Sequence, residues 1–281
     1  MMGSPLRAER NLPMMTAKRL VLSLWATAIF STGALASESP VLERIVATGK
    51  IRIGMSGDQA PFNVKNKVGE LIGFEVDLAN LVADALGVEV EFVTIAFPDL
   101  LDALKKGEVD IVMSGMTITA ARSLDAVFVG PYIVSGKSVL AKSQALAGGE
   151  AAQDFNRTGI TVAALRNSTS EAYVKKRLAK AKLVTVEHYD EAIQMIIKNE
   201  IDALVADMPA CKLAVFRHPD EDLATLSAPL TVEPIGIAVS SSELPLQMLL
   251  DNYVSAFEAS GLLEMLRVQW LEKGDWLELL Q

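Results

Sequence analysis

Only one cysteine, Cys211, stands in the 281 residues, so no intrachain disulfide framework is available and burial alone must hold the fold. Histidine is nearly as scarce: His188 and His218 are the only two, and their wide separation argues against a zinc site. Basic residues are outnumbered, 26 Lys and Arg against 35 Asp and Glu, for a formal net charge of −9. Nucleic acid is therefore not an expected partner, because phosphate recognition needs a positive surface. Beyond the first 36 residues no run is long and apolar enough to span a membrane. What is abundant is ordinary core material: 51% of the residues are hydrophobic and 22% charged, a composition too apolar for a disordered chain.

The first 36 residues read differently from the rest. Arg7, Arg10, Lys18 and Arg19 form a basic lead, Leu20 to Phe30 an apolar run, and Ala34-Leu35-Ala36 a small-x-small cleavage pattern. The run is too short for a permanent span of a core about 30 Å thick. Residues 1–36 are thus expected to be a cleaved export signal, cut after Ala36, that directs the protein to the periplasm. Its loss removes four basic residues and Glu9, leaving 22 basic against 34 acidic residues and a net charge of −12. Cys211, with no histidine near it in sequence, reads as a small buried hydrophobe rather than a nucleophile.

The remainder alternates strand-like and helix-like segments, the grammar of parallel α/β sheets. Strands are expected at Ile51–Met55, Val88–Thr94 and Val109–Met113, with helices over Val76–Leu86 and from Pro98 to Lys106. The second half repeats the pattern: strands Ile160–Leu165, Leu183–Val186 and Ile201–Ala206, helices Ser170–Lys180 and Asp190–Asn199, the last capped by Asp190. One junction occurs twice, Lys106-Gly107-Glu108-Val109-Asp110 and Lys198-Asn199-Glu200-Ile201-Asp202. A last strand, Ile235–Val239, precedes a helical tail from Leu244 to Gln281 that has no sheet of its own and is expected to pack on the first unit. The chain then crosses twice between two α/β lobes, near residues 134–138 and 228–236, and the cleft between them can close by a hinge. The expected parts are 37–135 and 233–281 for one lobe and 136–232 for the other.

Gly73-Phe74-Glu75-Val76-Asp77-Leu78-Ala79, with Leu86-Gly87 after it, resembles the signature of family 3 periplasmic solute-binding proteins, the amino-acid receptors of ABC importers. Ala60-Pro61-Phe62 precedes it; Ser114-Gly115-Met116-Thr117-Ile118-Thr119 with Arg122, then Ser168-Thr169, then Asp207 follow in the family's order. The resemblance covers nearly all of the chain after the leader. It implies a type II two-lobed periplasmic-binding-protein fold, no cofactor, a monomer, an amino-acid ligand and an inner-membrane ABC permease as partner. It further implies that Arg122 and Thr117 grip the ligand carboxylate, Thr169 with Ser168 adds a helix N-terminus, and Asp207 with the Gly115 carbonyl takes the ammonium. A guanidinium can grip a carboxylate with two parallel bonds, which lysine cannot reproduce.

The walls depart from the pattern. Where relatives often carry a stacking aromatic, Gln59 stands beside Phe62; an upstream acid is replaced by Ser56, while Phe97 keeps the second aromatic wall. A polar or small amino acid is therefore expected rather than a basic one. Asp58, Arg166, Asn167, Glu233 and Tyr132 are further lining candidates, Asp58 with a turn alternative and Arg166 with a solvent-facing one. The competing function is an enzyme on the same scaffold, since the chain also resembles periplasmic cyclohexadienyl dehydratases. Glu171 would then be a general acid, although glutamate three places after Ser168 is also what a capping box requires.

Overall fold

The computed structural model describes residues 39–146 and 152–280; the expected leader and its cleavage point lie outside them. Two five-stranded sheets organise the chain. Across the first run Glu89–Thr94, Lys50–Met55, Ile111–Val112, Glu233–Ser240 and Ala126–Ser135. Across the second run Lys182–Val186, Thr161–Leu165, Ala203–Asp207, Lys137–Lys142 and Leu223–Thr225. The topologies coincide. In each sheet three parallel strands are followed by one that runs antiparallel to both neighbours, and that strand is the one entered directly from a crossing.

Local chemistry accounts for much of this. The helix Phe74–Leu86 buries Phe74, Leu78 and Val82, one face at helical spacing, and Gly87 ends it in a left-handed conformation that accommodates the final turn. The repeated junction does the same work in both lobes. Asp110 Oδ2 accepts from the Arg52 N–H and Asp202 Oδ2 from the Thr161 N–H, each at 2.7 Å, while each aspartate N–H donates back to that residue's carbonyl. Gly107 and Asn199, at matching places, both have positive φ. Each aspartate thus docks its strand onto the parallel neighbour, Lys50–Met55 in one sheet and Thr161–Leu165 in the other.

Several bounds differ from the sequence expectation. The helix expected to be capped by Asp190 begins at Tyr189, with His188 in the cap position and Asp190 inside the first turn. Only Ile111–Val112 of the expected strand Val109–Met113 is laddered. Pro98 lies in a 3₁₀ turn, Phe97–Asp99, that leads into the helix Leu100–Lys105. A helix at Pro40–Thr48, a small three-stranded sheet within residues 58–72 and a helix at Met208–Arg217 add to the expected elements.

The tail forms helices Leu244–Ala259 and Leu262–Arg267. Leu246, Leu250, Leu263 and Trp270 pack in one core with Ile51, Ile53, Phe74 and Val82, so the tail covers the first sheet. The two crossings lie side by side at Gly136 and at residues 226–232, tied by Lys137 N–H to Thr231 Oγ1 at 3.0 Å and Leu230 N–H to the Lys137 carbonyl at 2.8 Å. Among the described residues no helix is long and apolar enough to cross a membrane.

Candidate functional site

The lobes touch directly across the cleft. Arg122, in a short 3₁₀ turn of the first lobe, donates from Nη1 to the Thr117 carbonyl at 2.9 Å and from Nη2 to the Asn167 carbonyl of the second lobe at 3.1 Å. Asn167 presents that carbonyl from a left-handed backbone conformation and sends its amide to the Pro98 carbonyl at 3.2 Å. The Arg122 guanidinium carbon stands 5.6 Å from the Phe97 ring centroid, within cation–π range. Burial lowers the Arg122 pKa from its ordinary value, opposed by the attraction of Asp207, Glu233 and Tyr189. Among the described residues no carboxylate oxygen lies within 4.0 Å of Arg122: the guanidinium's hydrogen-bond acceptors are the two peptide carbonyls.

Thr117 and Thr169 face each other from the two lobes with hydroxyls 3.5 Å apart. Thr169 opens the helix Thr169–Arg177, and Ser168 caps it: its Oγ accepts from the Glu171 N–H at 3.1 Å and donates to the Leu165 carbonyl at 2.6 Å. Ser168 is therefore engaged as a helix cap, and the N–H groups of Thr169 and Ser170 are left at the positive end of the helix. Glu171 does not close the box onto Ser168. Its oxygens accept from the Asn167 N–H at 2.6 Å and from Lys175 at 2.5 Å.

The remaining expected residues form a floor in the first lobe. Gly115 has φ +58, a conformation that favours glycine, and a methyl there would lie 2.5 Å from Gln59 Oε1 and 3.4 Å from the Phe62 ring. Gln59 is buried, and its amide nitrogen has no hydrogen-bond partner. Phe62 belongs to the first lobe's core. Ser114 is turned inward, where its Oγ accepts from the Ser56 N–H at 3.0 Å and donates to Ser56 Oγ at 3.1 Å. Ser56 and Ser114 together tie two strand ends below the cleft.

Three residues that shape the site, Glu75, Tyr132 and Lys137, take places that the sequence pattern does not indicate. Glu75, from the signature, is fully buried; it accepts from the Gly115 N–H at 2.7 Å, from Asn63 at 2.6 Å and from the Tyr132 hydroxyl. Desolvation raises its pKa, partly offset by those three donors. Its position in a first helical turn concealed it, because glutamate is common there for the helix dipole alone. Tyr132, expected as a lining residue, has its hydroxyl turned to Glu75. Lys137, the first residue past the Gly136 crossing, is buried and places Nζ 2.8 Å from Asp207 Oδ1 and 4.0 Å from Glu233 Oε2. Asp207 Oδ2 has the Tyr189 hydroxyl at 3.5 Å.

Further out, two polar contacts bridge the lobes: His188 Nδ1 to Asp58 Oδ2 at 2.7 Å, and Arg166, held by Glu187, to Asp99 at 3.6 Å. Burial pushes the Cys211 thiol up to about 12, in keeping with an inert core residue. Among the described residues no group of three or more His, Cys, Asp or Glu is placed to hold a metal. A groove of about 650 Å³ beside the crossings, walled by Val134, Phe216, Val232 and Trp270, contains none of Arg122, Thr117, Thr169 or Asp207.

Two α/β lobes of matching topology, joined by two crossings and meeting over a guanidinium, define the periplasmic-binding-protein class. Residues 51–273 match the model for bacterial extracellular solute-binding proteins, family 3, and the chain belongs to that family. It is 27% identical to the cyclohexadienyl dehydratase of Pseudomonas aeruginosa, over 91% of this chain and 95% of that one. It is 26% identical to the glutamine-binding protein of an ABC transporter from Bacillus subtilis, over 84% of this chain and 86% of that one. Among solved structures it is similar to an ancestral amino acid-binding protein described as a precursor of cyclohexadienyl dehydratase. That match has a TM-score of 0.76 at 33% identity and covers 83% of this chain and 99% of the other.

Proposed function

We propose that this chain is the extracytoplasmic substrate-binding component of an ABC importer, exported by a leader cut after Ala36. It closes on one amino acid or a close carboxylate analogue and delivers it to an inner-membrane permease, without catalysis or cofactor, as a monomer. The supporting observation is the Arg122 guanidinium, seated on Phe97 and reaching from one lobe to the other without a protein carboxylate to neutralise it. A ligand carboxylate replaces peptide carbonyls as its partner, a charge-assisted pair of the stronger kind. The Thr117 and Thr169 hydroxyls and the free N–H groups at the helix start add neutral donors from both lobes, so binding favours the closed arrangement. Gln59 and Phe97 form side walls, Ser114 and Phe62 support the floor at Gly115, and Asp207 faces the substituent next to the carboxylate.

Arg122→Ala is expected to weaken ligand binding by about 2–5 kcal/mol while leaving the thermal melt of the free protein nearly unchanged. Titration calorimetry checks it, after a thermal-shift screen of amino acids and their analogues has found the ligand. Unaltered affinity would refute the clamp.

An enzymatic reading draws on the similarity to a dehydratase. It is disfavoured by Glu171, the candidate proton donor, whose two oxygens both act as acceptors toward Asn167 and Lys175. A direct assay of prephenate turnover separates the readings; turnover would overturn the non-catalytic one.

A further inference from the structure

Lys137 is the buried charge that the clamp leaves unused. Its side chain is 2% exposed, yet Nζ makes a single hydrogen bond, to Asp207 Oδ1 at 2.8 Å. An ammonium carries three N–H donors, so two of them have no acceptor within hydrogen-bond distance among the described residues. Glu233 does not take them: its Oε2 is 4.0 Å away, and its other oxygen accepts from the Thr231 hydroxyl at 2.9 Å. Unmade donors in a buried site call for a partner.

Lys137 also holds a place that matters. Asp207 is the acid that faces the ligand's substituent in the reading above, and its Oδ1 already has an ammonium from the protein itself. A ligand ammonium would have to share the Asp207 carboxylate with Lys137, two like charges on one buried acid, with Glu233 Oε2 no nearer to Nζ than 4.0 Å. An oxygen on the same carbon would instead accept from the idle Nζ donors.

We propose that Lys137 sets the ligand class: the cleft selects 2-oxo or 2-hydroxy acids over the corresponding α-amino acids. The inference rests on the reading of Arg122 as a carboxylate clamp. Arg122 takes the carboxylate, and Lys137 donates to the adjacent oxo or hydroxyl oxygen while keeping Asp207 neutralised.

The test is calorimetry on the purified protein with matched series: alanine, pyruvate and lactate; glutamate, 2-oxoglutarate and 2-hydroxyglutarate; phenylalanine, phenylpyruvate and phenyllactate. For the best-bound side chain the oxo or hydroxy acid is expected to bind at least about tenfold tighter than the amino acid. Lys137→Met is expected to erase that preference. Because this variant leaves Asp207 buried without its partner, Lys137→Met with Asp207→Asn, neutral at both places, is read alongside it and is expected to show the same loss. An amino acid bound more tightly than its oxo and hydroxy analogues, with Arg122→Ala still abolishing binding, would overturn the proposal and leave the clamp standing. An unchanged ratio in both Lys137 variants would overturn it as well. No binding in any series, or full affinity in Arg122→Ala, would overturn the clamp and the proposal together.

Discussion

Glu75 shows how a single carboxyl can organise a binding floor without facing the ligand. Its three donors come from Asn63, the Gly115 backbone and Tyr132, which fixes the loop carrying Thr117 and orders the strand that leads to the first crossing. Desolvation raises its folded-state pKa above the ordinary carboxyl value of 4.5. The folded chain therefore holds this proton more tightly than the unfolded chain does. Stability from this group is full below about pH 4.5 and declines as pH rises toward the folded-state pKa, after which the loss is complete. Glu75→Gln lacks that decline, but with its oxygen kept on Gly115 and Tyr132 its NH2 faces the Asn63 amide nitrogen and cannot accept from it, a mispairing expected to cost about 1–3 kcal/mol. Thermal melts from acid to neutral pH should show the gap between wild type and variant narrowing as pH rises. A constant gap would remove Glu75 as a titrating group.

The elements repeat more faithfully than the residues do. The aspartates at 110 and 202 stand in equivalent bonds at the mouths of equivalent strands, and each sheet receives a crossing strand in the same place. The repeat of the junction was legible in the sequence; the bonds its aspartates make and the place of the crossing strands were not, because they depend on the partner strands. The lengths were not legible: Val109 and Met113 are as apolar as their neighbours, and only the partner strands decide where laddering stops. The crossings depend on close approach. A methyl on Gly136 would lie 2.3 Å from the Thr231 carbonyl oxygen and 2.5 Å from Pro229. Gly136→Ala is expected to push the crossing segments apart and destabilise the fold by about 1–3 kcal/mol, read as a lowered urea midpoint. A midpoint equal to wild type would show that the crossings have slack.

At the scale of the whole molecule, closure is maintained by contacts that exist only when the lobes meet. His188 with Asp58 and Arg166 with Asp99 lie at the rim, while Arg122 with Asn167 and Thr117 with Thr169 lie at the centre. Exposed rim pairs contribute little individually and are screened by salt. His188→Ala is accordingly expected to weaken ligand binding by less than about tenfold, with a smaller effect at high salt. Calorimetry at two ionic strengths checks this; a loss comparable to that of Arg122→Ala would move the grip from the centre to the rim. The acidic surface fits a protein that meets small solutes rather than nucleic acid.

The sequence by itself determined the two-lobed class, the order of its elements, the family and the arginine at its centre. Those features are written in short motifs and in periodicities of a few residues, which act before any long-range contact forms. The tertiary structure alone decided which buried polar groups pair. Lys137 reaches Asp207 across 70 positions and Glu75 reaches Tyr132 across 57, and neither pairing leaves a local pattern. Antiparallel register sets Lys137 directly opposite Asp207 on neighbouring strands, and burial of both side chains leaves their attraction little screened.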